Sequence, residues 1–313
     1  MRMRPCHLLA ALLLAVTAYS ANLNQEALTP DGIPPCAGMV RWQPNCYLVA
    51  HDLKVGEAGF RFGLVSTTKR LDYQGLECDW SKVGGESNDV ESLAPLEGAS
   101  QLFLACESGY VKGQFGHLYL VQVVDSPTPR LVAQARYAMP TGLEQEVEGL
   151  ATLRLEGGGN RWMVLLGGRG GRSEESGRLY WGFFDRDKNQ MEWPKEGVQG
   201  TEIQLPRRLG PFARTLSDMY LDEKHDLYIS SCSTPGKLGP NRSLIFRAGT
   251  VRENPKAPFQ RASENQEVWW VDGCKIEGIC PCDRPGYGPA YVTDDDDLGA
   301  MWRAVPANPS LSY

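Results

Sequence analysis

The sequence predicts an all-β fold: a single β-propeller of four-stranded antiparallel blades, five in number, or six if one long repeat hides two. Three observations carry this. A short acidic phrase opens an apolar, strand-like run four times: Asp89-Val-Glu91-Ser-Leu-Ala, Glu146-Val-Glu148-Gly-Leu-Ala, Leu216-Ser-Asp218-Met-Tyr and Lys275-Ile-Glu277-Gly-Ile-Cys. The copies start roughly 60 residues apart, a period that signals a repeat architecture. High glycine and proline counts (34 and 21 among 313 residues), many aromatics and no heptad-like pattern favour strands and turns over helices.

Each repeat parses into four short apolar runs separated by turn residues. The region before Asp89 offers 38–42, 46–50, 61–66 and 71–80. After Glu91 come 93–96, 101–105, 117–123 and 130–134. After Glu148 come 150–155, 161–166, 178–184 and 201–205. The next repeat has 219–221, 226–230, 243–247 and 267–271. The last offers 276–280, 290–293 and 300–304 and lacks an outer strand, which the N-terminal segment of the mature chain is expected to supply by closing the ring. A two-sheet sandwich would also show many short strands, but it would not explain the recurring acidic opening.

Residues 1–20 read as a signal peptide, leaving 21–313 as the propeller. Arg2 and Arg4 form a basic start, Leu8 to Tyr19 an apolar stretch, and Ala18-Tyr-Ser20 a small-residue cleavage site. The mature protein is expected to be exported, to the periplasm or the extracellular space, and monomeric. Cleavage removes Cys6 and leaves eight cysteines, Cys36, Cys46, Cys78, Cys106, Cys232, Cys274, Cys280 and Cys282. Disulfides are expected for them in an oxidising compartment, Cys36 with Cys46 and Cys78 with Cys106 being sensible local pairs. Losing the two leader arginines takes the net charge of −6 to about −8. An acidic chain without basic runs argues against nucleic acid and anionic membranes as partners.

Propeller geometry gives the acidic motif its meaning. The first strand of each blade lines the central channel and the second runs antiparallel beside it, so first-strand starts and second-strand ends share one face. The starts carry Glu91, Glu148, Asp218 and Glu277. The ends carry His51-Asp52, Glu107, Gly167-Gly-Arg169, Cys232-Ser-Thr and Asp294–Asp297. Like charges brought together in this way are costly unless a cation neutralises them. The four carboxylates are therefore candidate ligands of one divalent cation, and oxygen-only ligands favour calcium over zinc or copper.

Arg169 and Arg172 lie in a Gly-rich run that is no phosphate-binding Walker loop, because no Gly-Lys-Ser/Thr follows. They are candidate anion clamps for a phosphate or carboxylate. Glu107 is a candidate proton acceptor, with His51 and Asp52 as further catalytic candidates at the mouth. The run Asp294–Asp297 lacks the spaced pattern of an EF-hand and reads as an acidic turn. No Gly-x-Ser-x-Gly elbow occurs, which argues against an α/β-type serine hydrolase.

Eight phrases in order along the chain carry a resemblance: AHDLK (50–54), NDVESLAPL (88–96), ACESG (105–109), EVEGLATL (146–153), LLGGRGG (165–171), LSDMYLDEKHDLYI (216–229), KIEGI (275–279) and VTDDDDLGAMWR (292–303). Together they resemble exported bacterial phytase-like propellers, a family described by an esterase-like activity of phytase. The resemblance implies a divalent cation in the channel and an activity on phosphoesters, esters or lactones. The alternative is a non-catalytic ligand-binding or scaffold propeller whose cation only staples the blades.

Overall fold

The computed structural model describes residues 33–308 except 69, 100, 109, 112–113, 126–127, 144, 171–175, 206–208, 210–212, 237–238, 263–267 and 296–298. Residues 1–32, which include the expected leader and cleavage site, and Arg172 lie outside the described residues. Alternation of β-branched, aromatic and leucine residues with turn residues builds five sheets around one axis: a five-bladed β-propeller.

Blade one is a plain meander of β1 (Gly38–Gln43), β2 (Cys46–Ala50), β3 (Phe62–Ser66) and β4 (Asp72–Leu76). Next comes a short strand, β5 (Cys78–Asp79), which pairs parallel to the outer edge of blade two. Blade two itself is β6 (Val90–Pro95), β7 (Leu102–Glu107), β10 (His117–Val124) and β11 (Arg130–Ala138). A small hairpin of β8 (Tyr110–Val111) and β9 (Gln114–Phe115) projects between β7 and β10.

Blade three is β12 (Val147–Arg154), β13 (Arg161–Gly168) and β14 (Gly177–Asp185), with an outer edge split into β15 (Gln190–Glu192) and β16 (Thr201–Ile203). The one-turn helix α1 (Lys195–Gln199) separates these two and ends at Gly200, whose φ of 64 suits glycine. Blade four repeats the pattern: β17 (Asp218–Leu221), β18 (Asp226–Ser233), β19 (Arg242–Val251), then β20 (Phe259–Arg261) and β21 (Val268–Asp272). Blade five has three strands among the described residues, β22 (Ile276–Pro281), β23 (Tyr287–Thr293) and β24 (Trp302–Pro306).

The core lies between the blades. Five buried clusters fill the five interfaces of the ring. Phe62 and Tyr119 share the first, Trp162 and Leu104 the second, Leu165 and Phe246 the third, Tyr228 and Ile279 the fourth, and Trp302 and Tyr47 the fifth. Among the described residues, no helix is long and apolar enough to cross a membrane.

Two expectations need correction. Among the described residues, the N-terminal segment adds no outer strand to blade five, residues 21–32 lying outside them. Ile33 instead forms a single antiparallel bridge with Ala300, and the Cys36 amide donates to the Thr293 carbonyl at 3.2 Å. The segment therefore straps blade five to blade one near the mouth. Nor are the local disulfides formed, since all eight described cysteines are unpaired thiols. Cys36 packs between blades five and one while Cys46 packs between blades one and two. Cys78 and Cys106 are likewise split between the first and second interfaces, because neighbours along a blade can face opposite sides of its sheet.

Candidate functional site

One frame recurs at the start of every inner strand: apolar, x, small, apolar. It reads Cys36-Ala37-Gly38-Met39, Val90-Glu91-Ser92-Leu93, Val147-Glu148-Gly149-Leu150, Leu216-Ser217-Asp218-Met219 and Ile276-Glu277-Gly278-Ile279. At Glu91, Glu148 and Glu277 the ladder to the second strand slips by one residue, leaving the glutamate as the extra residue of a β-bulge. A bulge re-aims its side chain, and here it turns three carboxyl groups to the axis. Their oxygens lie within 4.8 Å of one another.

Asp218 is not with them. It occupies the small position of its frame, one layer deeper, and Ser217 holds the glutamate position. The hydrogen bonds show the equivalence. Ser217 N donates to Ser230 O at 2.8 Å as Ala37 N donates to Ala50 O at 3.0 Å, and Ser230 and Ala50 are the partners of Asp218 and Gly38. In this lower layer the inner strands nearly touch. A Cβ on Gly38 would meet the Ser92 Cα at 2.7 Å, and one on Gly278 would meet the Gly38 carbonyl carbon at 2.8 Å. Asp218 fills the remaining space. Its Oδ1 accepts from Ser92 Oγ at 2.5 Å and its Oδ2 from the Ile279 amide at 2.8 Å, while Ser92 Oγ accepts from the Leu150 amide at 3.0 Å. Blades two, three, four and five are thus pinned together directly beneath the glutamates.

Three basic groups surround the glutamate layer. Arg169, at the end of β13, donates from Nη1 to Glu148 Oε1 at 3.1 Å and also reaches Glu146. Arg214 Nη1 lies 3.7 Å from Glu148 Oε2 and 3.3 Å from Glu277 Oε1. Lys275 Nζ lies 3.0 Å from Glu277 Oε1 and also contacts Asp294. Lys275 stands immediately before β22, one residue ahead of the bulge that turns Glu277 to the axis. Arg214 sits in the loop before β17, where no periodicity marks it. Among the described residues, no hydrogen bond or ion pair reaches the Glu91 carboxyl.

These surroundings set the protonation. Burial, then Glu148 and Glu277, push the Glu91 carboxyl well above the usual carboxylate range. Burial and Glu277 push Glu148 up to about 7, against the pull of Arg214 and Arg169. Burial opposes charge on Lys275 and Arg214, but the adjacent carboxylates outweigh it and both stay firmly protonated. Cys232 lies 3.9 Å from Glu277 Oε1, and burial followed by that carboxylate raises its thiol to about 11, so it stays protonated. As a donor set, three carboxylates suit a hard cation such as calcium. Both oxygens of Glu148 and one of Glu277 already face guanidinium or ammonium groups.

The remaining mouth residues are occupied with structure. Glu107 accepts from the Asn88 amide at 2.7 Å, from Tyr119 Oη at 2.9 Å, and from His117 N and Nδ1, each at 2.9 Å. His51 is fully buried. Its Nδ1 lies 2.7 Å from the Pro35 carbonyl and must carry the proton, so Nε2 accepts from Tyr73 Oη at 3.0 Å. Burial lowers its pKa to about 4 and keeps it neutral. Asp52 is half-buried beside the mouth, its carboxyl raised by burial and by Asp294. Of the sequence candidates, the structure brings Glu91, Glu148, Glu277 and Arg169 together, sets Asp52 at the edge, and holds His51, Glu107 and Asp218 in separate networks.

No family model matches the chain, and no curated protein does. Three similar solved structures are a thermostable family-43 glycoside hydrolase, an α-L-arabinanase mutant from Cellvibrio cellulosa and an endo-arabinanase from Bacillus licheniformis. The first is 11% identical over 90% of this chain and 95% of that one, with a TM-score of 0.47. The second is 10% identical over 88% and 92%, at 0.49. The third is 11% identical over 88% and 94%, at 0.44. The resemblance to phytase-like propellers is corrected by these findings: neither a family model nor a curated relative supports it, and the similar structures named here are described as glycoside hydrolases.

Proposed function

We propose that the protein is a hydrolase that cleaves glycosidic bonds by carboxylate acid–base chemistry at the glutamate layer. The observation that carries this is the unequal setting of carboxyl groups brought within 4.8 Å: among the described residues no cation forms an ion pair with Glu91, whereas Glu277 faces two. A carboxyl group pushed toward its protonated form by burial, beside a second carboxyl group that faces cations, is the kind of pair that glycoside hydrolysis uses. Glu91, held protonated, gives its proton to the leaving-group oxygen as the bond from sugar carbon to oxygen breaks. Glu277, oriented by Arg214 and Lys275, attacks the sugar carbon as that bond breaks, and water then releases the sugar from Glu277 while Glu91 takes the water's proton; a short carboxyl separation suits this two-step route. Glu148, shifted to about 7, lies between them. Arg169 keeps it oriented.

The test is a panel of aryl glycosides, aryl phosphates, aryl esters and lactones offered to the purified protein. Turnover of a glycoside is expected, and Glu91→Gln should lower kcat about 10²–10⁴-fold, the usual scale of a lost general acid. Turnover of the phosphates or esters alone would overturn this reading. A folded protein inert on all four classes would favour the ligand-binding or scaffold alternative.

A further inference from the structure

We propose that Arg214 is the resident cation of this centre, its guanidinium standing where the ring lacks a carboxylate and where a shared metal ion would have to sit. The inference deepens the hydrolase reading above, because it concerns the charge balance of the same glutamates.

The blade frame locates the gap. Blades two, three and five each send a glutamate to the axis; blade one presents Ala37, and blade four, lying between three and five, presents Ser217. Three residues before that serine, Arg214 reaches into the opening and bridges Glu148 of blade three (3.7 Å) to Glu277 of blade five (3.3 Å). Its backbone is fixed on both sides: its amide donates to the Cys232 carbonyl at 2.8 Å and its carbonyl accepts from Ser231 Oγ. Ala213 forms a bridge with Ser233. The arm that delivers the guanidinium is therefore part of the blade edge.

Charge placement points the same way. Glu148 faces Arg169 and Arg214, and Glu277 faces Arg214 and Lys275, while Glu146 and Asp294 share Arg169 and Lys275, so the chain's own cations already occupy two of the three glutamates. An arginine cannot lose its charge by deprotonation in a protein. Calcium seeks six to eight oxygens, and would have to displace Arg214 from two of the three carboxylates while lying against its positive charge. The centre is accordingly metal-independent, and Arg214 is a positioning residue that bridges Glu148 and Glu277. The calcium ligand set expected from the acidic motif is met by an internal substitute.

The test is thermal unfolding of wild type, Arg214→Ala and Arg214→Lys, each with millimolar calcium, magnesium or manganese chloride and with EDTA. Wild type and Arg214→Lys are expected to shift by less than about 1 °C with ion or chelator. Arg214→Ala should melt lower and regain at least about 2 °C with one of the ions, as a ligand binding only the closed ring would give. Arg214→Gln takes its place should the alanine variant not fold. A wild type that loses stability in EDTA overturns the proposal, and so does an uncharged variant that gains nothing from any of the three ions. The readout involves no turnover, so it can fail while the glycosidase reading stands, and the reverse.

Discussion

At Glu91 the protein keeps an acid that prefers its proton. Its folded-state pKa lies well above the ordinary value because of burial and the two neighbouring glutamates. The sign follows from linkage: the folded state binds the proton more tightly than the unfolded state, so stability is full below the ordinary carboxylate range and falls as pH rises toward the shifted value. Glu91→Gln is isosteric with the protonated acid. It should leave the melting temperature unchanged at pH 5 and raise it at pH 8, and equal shifts at the two pH values would contradict the buried-acid reading. At this scale the sequence was partly legible. Glu91, Glu148 and Glu277 stand out because each opens an apolar run with a glycine or serine after it. Asp218 misled by one position, since a carboxylate in the small slot of the frame looks the same in a list of acidic openings. Aligning the small residues of all five frames, Gly38 included, would have placed Ser217 at the axis. Arg214 left no such mark, being a loop residue whose role depends on a gap in a different part of the ring.

Strands carry the fold through their outward faces against neighbouring blades. Trp162 shows the scale: it is fully buried on β13, stacks on Phe184 at 5.9 Å, and donates from Nε1 to the Glu97 carbonyl of blade two at 3.2 Å. Trp162→Ala should cost about 3–5 kcal/mol, the range for truncating a large core aromatic, measured as a lower denaturant midpoint with little change in slope. A loss below about 1 kcal/mol would mean that the second interface collapses around the cavity. Inner and middle strands were readable because buried alternation is strong there. Outer strands were less so. The run 71–80 reads as one strand yet divides into β4 and β5, which serve different blades. The edges of blades three and four each break into two pieces. An edge strand has one neighbour and more solvent, so its side chains record pairing weakly.

For the whole ring, closure is the step that makes five sheets one body. It rests at the N-terminal side on Ile33 and Cys36, both buried, through the bridge to Ala300 and the bond to Thr293. A chain beginning at Gly38 should therefore melt well below one retaining Ile33, and limited proteolysis should cut blade five first. Equal melting of the two chains would show that blades one and five close on side-chain packing alone. The number of blades was legible from the 60-residue period. The manner of closure was not, because a strap of five residues with one bridge carries no periodic signal.

The pin formed by Asp218 and Ser92 gives the molecule a floor. Asp218 has no exposed surface, and the inner strands of blades one, two and five approach within Cβ contact of one another around it, so the axis narrows beneath Glu91, Glu148 and Glu277. Under the glycosidase proposal, such a floor would favour a substrate that offers an end or a bend to the glutamates over one threaded along the axis, and release through the mouth would become a candidate for the slow step.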